Sequence, residues 1–304
     1  MPKKGKPPIK NMGASVRSRL LNLAKARRQP FDLLLTHYVL ERLLYRLGQT
    51  AHRDRFILKG AMLLTKWFEE PLRPTRDIDF LGFVKNDETE MVGVFKEVCA
   101  VSYNDGVVFD AESVSVARIR EELEYGGLRI TAKATLDGAR VPVVIDVAFG
   151  DSVEPGLQEI DVPVLLDFPS IRLRAYALET VVAEKFQAMV VMGRANSRMK
   201  DFYDVWRLSN LVEFKDDKLP RAIAATFARR KTEIPSEPPV ALTAAFTDDP
   251  LKVQQWDSFK ADLDYQPGAL ADVVKDLAAF LMTRATDARQ LNDRNRLEQA
   301  PDNG

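Results

Sequence analysis

The chain has 304 residues, 46% hydrophobic and 29% charged, an ordinary globular composition with room for two compact domains or one domain with a large extension. Lysine plus arginine equals aspartate plus glutamate at 44 each, so a grip on nucleic acid through global charge is excluded and any such contact must use a local patch. One cysteine, Cys99, and two histidines, His37 and His52, exclude an internal disulfide and a Cys/His zinc cluster, and the absence of a signal core or of an apolar run near the ~20 residues that span a bilayer leads us to expect a soluble, cytoplasmic protein.

A local basic patch opens the chain. Met1 to Arg28 holds nine basic residues and no acid, readable either as a solvated arm or as a nucleic-acid contact. Residues 1–13, with Pro2, Gly5, Pro7 and Pro8 among lysines, form the expected flexible part of it. Two helical stretches follow, SVRSRLLNLAKARR and FDLLLTHYVLERLLYRL; in the second, Leu33, Leu34, Val39, Leu43, Leu44 and Leu47 recur at helical spacing before Gly48. Next come a short apolar segment, a helix from about Ala61 to Glu69, a proline-marked loop, and a strand from Asp77 to Val84. Residues 88–100 read as helix. From Val107 to Val147 the pattern gives several strands, broken at Gly126-Gly127 and Asp137-Gly138, the last being the strongly β-patterned VPVVIDVAFG. Beyond PSIRLRAYALET the chain turns helical, interrupted by a loop at 234–240, and its end from Asp287 is polar and without periodicity. We therefore expect an α+β protein: a basic arm (1–13), a mixed α/β domain (14–170), an α-helical domain (171–286) and a polar tail (287–304).

The chemistry concentrates on acids. Asp77 and Asp79 flank Ile78 in T-R-D-I-D-F, and residues two apart on a strand share a face with Cα atoms ~7 Å apart. Two carboxylates on one face repel unless a cation lies between them, and Mg²⁺ favours oxygen ligands completed by phosphate and water. Two ions ~3.5–4 Å apart, held with help from a third carboxylate, would suit an in-line displacement. Asp146 is the expected third, because it interrupts the apolar run Val143-Val144-Ile145-Asp146-Val147, where an unpartnered charge is costly. A solvated turn is the bland alternative for a lone D-x-D. An aspartyl-phosphate phosphatase is disfavoured because apolar residues follow this pair, whereas there they precede it.

Lys59-Gly60-Ala61 precede the helix leading to the acids. Glycine permits close backbone approach to a phosphate, and Arg73, Thr75 and Arg76 could add charge and a hydroxyl beside a triphosphate. Further on, Lys185 falls within a stripe of Leu178, Val181, Val182, Met189 and Met192, so its ammonium group needs an anion nearby. Asp201 faces inward between Val205 and Leu208, with Asp204 at the edge of that stripe. Two readings stay open: a structural bridge docking two helices, or Lys185 on a phosphate with Asp201 or Asp204 orienting it or acting as base.

Taken together, FILKGAMLL (56–64), RPTRDIDF (73–80), the acidic strand at Asp146, EKFQAM (184–189) and RMKDFYDV (198–205) resemble the AbiEii/AbiGii-type nucleotidyltransferase toxins, a branch of the DNA-polymerase-β-like superfamily. The similarity spans roughly residues 14–260. It implies a bilobed fold, with a mixed-sheet nucleotidyltransferase lobe and a mainly helical C-terminal lobe. It also implies Mg²⁺ (two ions) on Asp77, Asp79 and Asp146, and an NTP donor met by Lys59 and Gly60. Lys185 and Asp204 would be the essential lysine and aspartate. A toxin role is implied too, beside a cognate antitoxin with a DNA-binding module, some members adding nucleotides to the tRNA 3′ end. Ala61 departs from the Gly-Ser or Gly-Gly common in the superfamily, and the spacer to Asp77 is long. Transfer to tRNA or another RNA is the leading expectation. A protein or small-molecule acceptor and a catalytically silent nucleotide-binding module are the alternatives.

Overall fold

Asn11 opens the first helix, α1 (Met12–Arg27), by accepting the Ala14 N–H at 3.0 Å, and Arg28 closes it in the left-handed conformation. That sequence is seen here in a computed structural model that describes residues 11–66, 75–119, 126–214, 217–261, 263 and 265–298. The chain divides into two compact units, residues 1–150 with 159–175, and residues 151–158 with 176–304.

In the first unit the second helix, α2 (Phe31–Gly48), is buried almost all round from Leu34 to Leu47. This is why its sequence looks too apolar for a surface helix. Its charges are buried with it. Arg46 donates from Nη1 and Nη2 to the two oxygens of Asp105 at 2.7 and 3.0 Å, and both side chains are almost wholly out of solvent. Burial, with Arg27 adding to it, lowers the His37 pKa to about 4, and burial raises that of Glu41 to about 8.

The strands form one mixed sheet. β1 (Phe56–Lys59) leads into the five-residue helix α3 (Gly60–Leu64), and β2 (Ile78–Gly82) returns antiparallel to β1. The remainder of the expected 61–69 helix lies outside the described residues. After α4 (Glu88–Ala100), capped by Asp87, come β3 (Val107–Ile119), β4 (Gly127–Leu136), β5 (Ala139–Phe149), β6 (Leu157–Val162) and β7 (Ile171–Tyr176). The strand order is β3-β4-β5-β2-β1-β7-β6. β3, β4 and β5 run antiparallel in sequence, while β2 pairs parallel with β5, and β1 parallel with β7. Along β5, Val141, Val143, Ile145 and Val147 are buried and alternate with more exposed residues. α2 packs on β5, and α4 on β3 and β4.

The second unit is helical: α5 (Leu178–Met192), α6 (Met199–Leu211), α7 (Lys218–Arg229), α8 (Ala244–Thr247), α9 (Pro250–Lys260) and α10 (Leu270–Glu298). α5 packs on α7, and α10 on α6 and α7, around Phe186, Phe202, Ile223, Phe227, Leu277 and Leu281. The fold is thus mixed α and β, with a seven-stranded sheet and ten α-helices among the described residues.

Two features differ from the sequence pattern. β7 lies within the stretch where composition turns helical, so Ile171–Ala175 go with the sheet; the Ile-x-Leu-x-Ala alternation suits a strand. Helix α10 runs through Asp287 to Glu298 rather than giving way to a polar tail, with Ala285 and Ala288 fully buried. Small residues supply that contact, so no strong apolar stripe marks it. No helix among the described residues is long and apolar enough to cross a membrane.

Candidate metal centre

Strand pairing assembles the acids. Asp79 on β2 stands beside Asp146 on β5 in the parallel register, and Asp77 lies in the loop that enters β2. Side chains opposite one another in adjacent strands share a face. The described carboxylates of Asp77, Asp79 and Asp146 each offer an oxygen within 4.8 Å of the others, all partly exposed. Opposite ligands on an octahedral Mg²⁺ lie ~4.2 Å apart. The set is therefore within a small side-chain adjustment of enclosing such an ion, and its donors are hard oxygens.

The same pairing extends the row in both directions. Lys59 on β1 is opposite Asp79, and Arg129 on β4 is opposite Asp146. Across β1, β2, β5 and β4 the sheet thus presents Lys59, Asp79, Asp146 and Arg129, two acids between two cations. Arg129 Nε donates to Asp146 Oδ1 at 2.8 Å and Nη2 to Oδ2 at 2.7 Å, a bidentate pair. The Arg129 pKa is raised, first by this hydrogen bonding and the charge of Asp146, then by the charges of Asp77 and Asp79.

Sequence reasoning missed Arg129, although a signal existed. Counting outward from the Asp137-Gly138 turn, whose residues both have positive φ (47° and 80°), gives Leu136 opposite Ala139 and then Arg129 opposite Asp146.

Gly60 has a defined task. Its φ is +70°, and a Cβ placed there would lie 1.8 Å from Asp79 Oδ2 and 2.6 Å from its Cγ. A side chain at this position would occupy the space of the carboxylate, so glycine is required on both conformational and steric grounds. Thr75, expected near phosphate, is buried and donates from Oγ1 to Asp77 Oδ1 at 2.8 Å; it fixes the one acid that no strand holds. Ala61 is buried in α3. Arg76 is exposed and pairs with Asp32 at 3.2 Å. Arg73 lies outside the described residues.

The second unit holds the other group of expected site residues together. Lys185 Nζ on α5 is 2.5 Å from Asp201 Oδ1 and 3.0 Å from Asp204 Oδ2 on α6. Asp204, expected at the edge of the stripe, is the most buried of the three, its side chain fully out of solvent. A helical wheel does not record which neighbour packs over its edge.

The family model described as "Nucleotidyl transferase AbiEii toxin, Type IV TA system" matches residues 42–283, a span that includes all three acids as well as Lys185 and Asp204. No curated protein matches the chain. Among solved structures, JHP933 from Helicobacter pylori is similar with a TM-score of 0.50 at 14% identity, covering 88% of this chain and 98% of its own. A second H. pylori structure, described provisionally as a nucleotidyltransferase, gives a TM-score of 0.50 at 15% identity, with 85% and 96% covered. At such identities the likeness is one of fold.

Proposed function

Because the chain belongs to the AbiEii nucleotidyl transferase toxin family of type IV toxin–antitoxin systems, we propose that it transfers a nucleoside monophosphate from an NTP to the 3′ end of an RNA, with tRNA as the acceptor, and releases pyrophosphate. The observation that carries this reading is the convergence of Asp77, Asp79 and Asp146 on one face of the sheet. Three acids would hold divalent cations, Mg²⁺ by preference for oxygen. When bound, such ions neutralise charge on the triphosphate and on the attacking oxygen.

The chain's own residues supply position. Thr75 orients Asp77 by its hydroxyl hydrogen bond, and Gly60 leaves room for the Asp79 carboxylate. Lys59, Gly60 and Ala61, with Arg73, would face the phosphates. Lys59 stands opposite Asp79 in the strand pairing, which supports this. For Lys185 and Asp204 we propose the nucleotide-directed role that the resemblance to the family's essential lysine and aspartate implies, with Asp201 orienting the lysine. The short Lys185–Asp201 contact serves as the means of holding that ammonium group still. A toxin family implies an antitoxin partner, and we propose one with a DNA-binding module, the pair acting in the cytoplasm.

The experiment is label transfer. Purified protein with Mg²⁺ and each α-labelled NTP in turn should label tRNA, and Asp79→Ala should abolish the label. Absence of labelled RNA with all four NTPs, or undiminished labelling by Asp79→Ala, overturns the reading. Label appearing on protein instead would move the acceptor and keep the chemistry.

A further inference from the structure

The inference rests on the metal reading of the three acids. Arg129 occupies one lone pair on each oxygen of Asp146, and Asp146 is a candidate ligand. It therefore brings a positive charge against the place where divalent cations would be held. Two cations that share one carboxylate repel each other, and each weakens the other's hold on it.

We propose that Arg129 competes with divalent cations for Asp146 and is drawn off by a bound nucleotide, so that metal and nucleotide bind with positive linkage through this one side chain. Three carboxylates crowd one face, and Arg129 relieves their mutual repulsion. A divalent cation shares or contests that carboxylate with the guanidinium, and the like charge lowers its affinity. A triphosphate offers the guanidinium an alternative partner, because its planar fork matches phosphate oxygens as it matches a carboxylate. Nucleotide binding thereby frees Asp146, and the metal affinity rises only when substrate is present. By reciprocity the metal raises nucleotide affinity by the same factor.

Three observations support a movable partner rather than a fixed prop. Half of the Arg129 side chain is exposed, against a fifth for Asp146, so the guanidinium can leave while the carboxylate stays. Arg129 projects from the solvent-facing side of β4, between the buried Leu128 and Ile130. At the opposite end of the row Lys59 carries a point charge that cannot imitate the fork.

The test is the binding of Mn²⁺, read from the free-ion signal in electron paramagnetic resonance, with and without an NTP whose α,β-bridge resists cleavage. Without nucleotide, Arg129→Ala should bind Mn²⁺ about three- to tenfold more tightly than the wild type, the scale of a half-exposed ion pair reinforced by two neighbouring acids. Arg129→Lys should show a smaller gain. With the nucleotide analogue the gain should vanish, and nucleotide affinity should fall in Arg129→Ala. Weaker Mn²⁺ binding by Arg129→Ala would make the residue a prop for Asp146 and overturn the proposal, as would unchanged binding in both conditions. Asp79→Ala separates the two levels. If it abolishes Mn²⁺ binding while Arg129→Ala leaves it unchanged, the metal centre stands and only the counter-ion role falls. If wild type binds no Mn²⁺, both fall.

Discussion

Replacing Gly60 by alanine tests the centre through its tightest contact. The added Cβ would meet Asp79 Oδ2 at 1.8 Å, where ordinary contact begins at 3.4 Å. The carboxylate must swing aside by more than an ångström, and a misplacement of about 1 Å near reacting groups costs on the order of 10²-fold in rate. Ligand distances at a metal are tolerant to only about ±0.2 Å, so Mn²⁺ affinity should fall with the rate. Alanine at φ +70° adds a backbone cost of about 1–2 kcal/mol. Gly138→Ala isolates that cost, because Gly138 has φ +80° with nothing within 4 Å of a Cβ. Both variants should melt a few degrees below wild type. Only Gly60→Ala should lose metal affinity and nucleotide transfer, by about 10²-fold or more. If Gly60→Ala binds Mn²⁺ and transfers nucleotide as well as Gly138→Ala does, Asp79 is not held where the strand register puts it and the reasoning fails.

Other expectations follow from the buried charges. Lys185→Ala removes an ammonium group from between Asp201 and the fully buried Asp204 and should cost about 3–5 kcal/mol in chemical denaturation; a loss under about 1 kcal/mol would show that the pair is dispensable for folding. Arg46→Ala strips Asp105 of its bidentate partner inside the first unit and should destabilise on the same scale, with urea unfolding as the measurement. His37 has a folded pKa of about 4 against an ordinary 6.5, through burial and then Arg27. The folded state resists the proton, so the stability linked to His37 is complete above pH 6.5 and is lost as pH falls toward 4, up to roughly 3 kcal/mol. His37→Gln should flatten the stability profile across that window, and an unchanged slope would refute the assignment.

The acids of the centre are legible in sequence for physical reasons. Asp79 and Asp146 interrupt apolar strands, so strand periodicity places them on partly exposed positions, and Asp77 stands just ahead of the first of those strands. Their mutual approach was legible only as an expectation, because the parallel pairing of β2 with β5 is a tertiary choice. Arg129 is a single charged residue in an alternating strand and looks like any wet position until the hairpin is counted back from Asp137-Gly138. The buried charges of α2 were hidden more deeply. Arg46 finds Asp105 fifty-nine residues away, and nothing local to FDLLLTHYVLERLLYRL distinguishes a paired buried arginine from one reaching solvent. β7 was hidden by the helical residues that follow it, and the end of α10 by its reliance on alanine.

The two-residue connection between β4 and β5 governs more than local chain reversal. Side chains alternate faces along both strands, so a slip by one residue at that tip would send Arg129 or Asp146 through the sheet into the layer beneath α2 and α4. Alignment of the proposed centre is thereby inherited from a bend at the remote end of a hairpin. Lengthening that bend by a single residue would misplace the proposed centre while leaving every acid in the sequence.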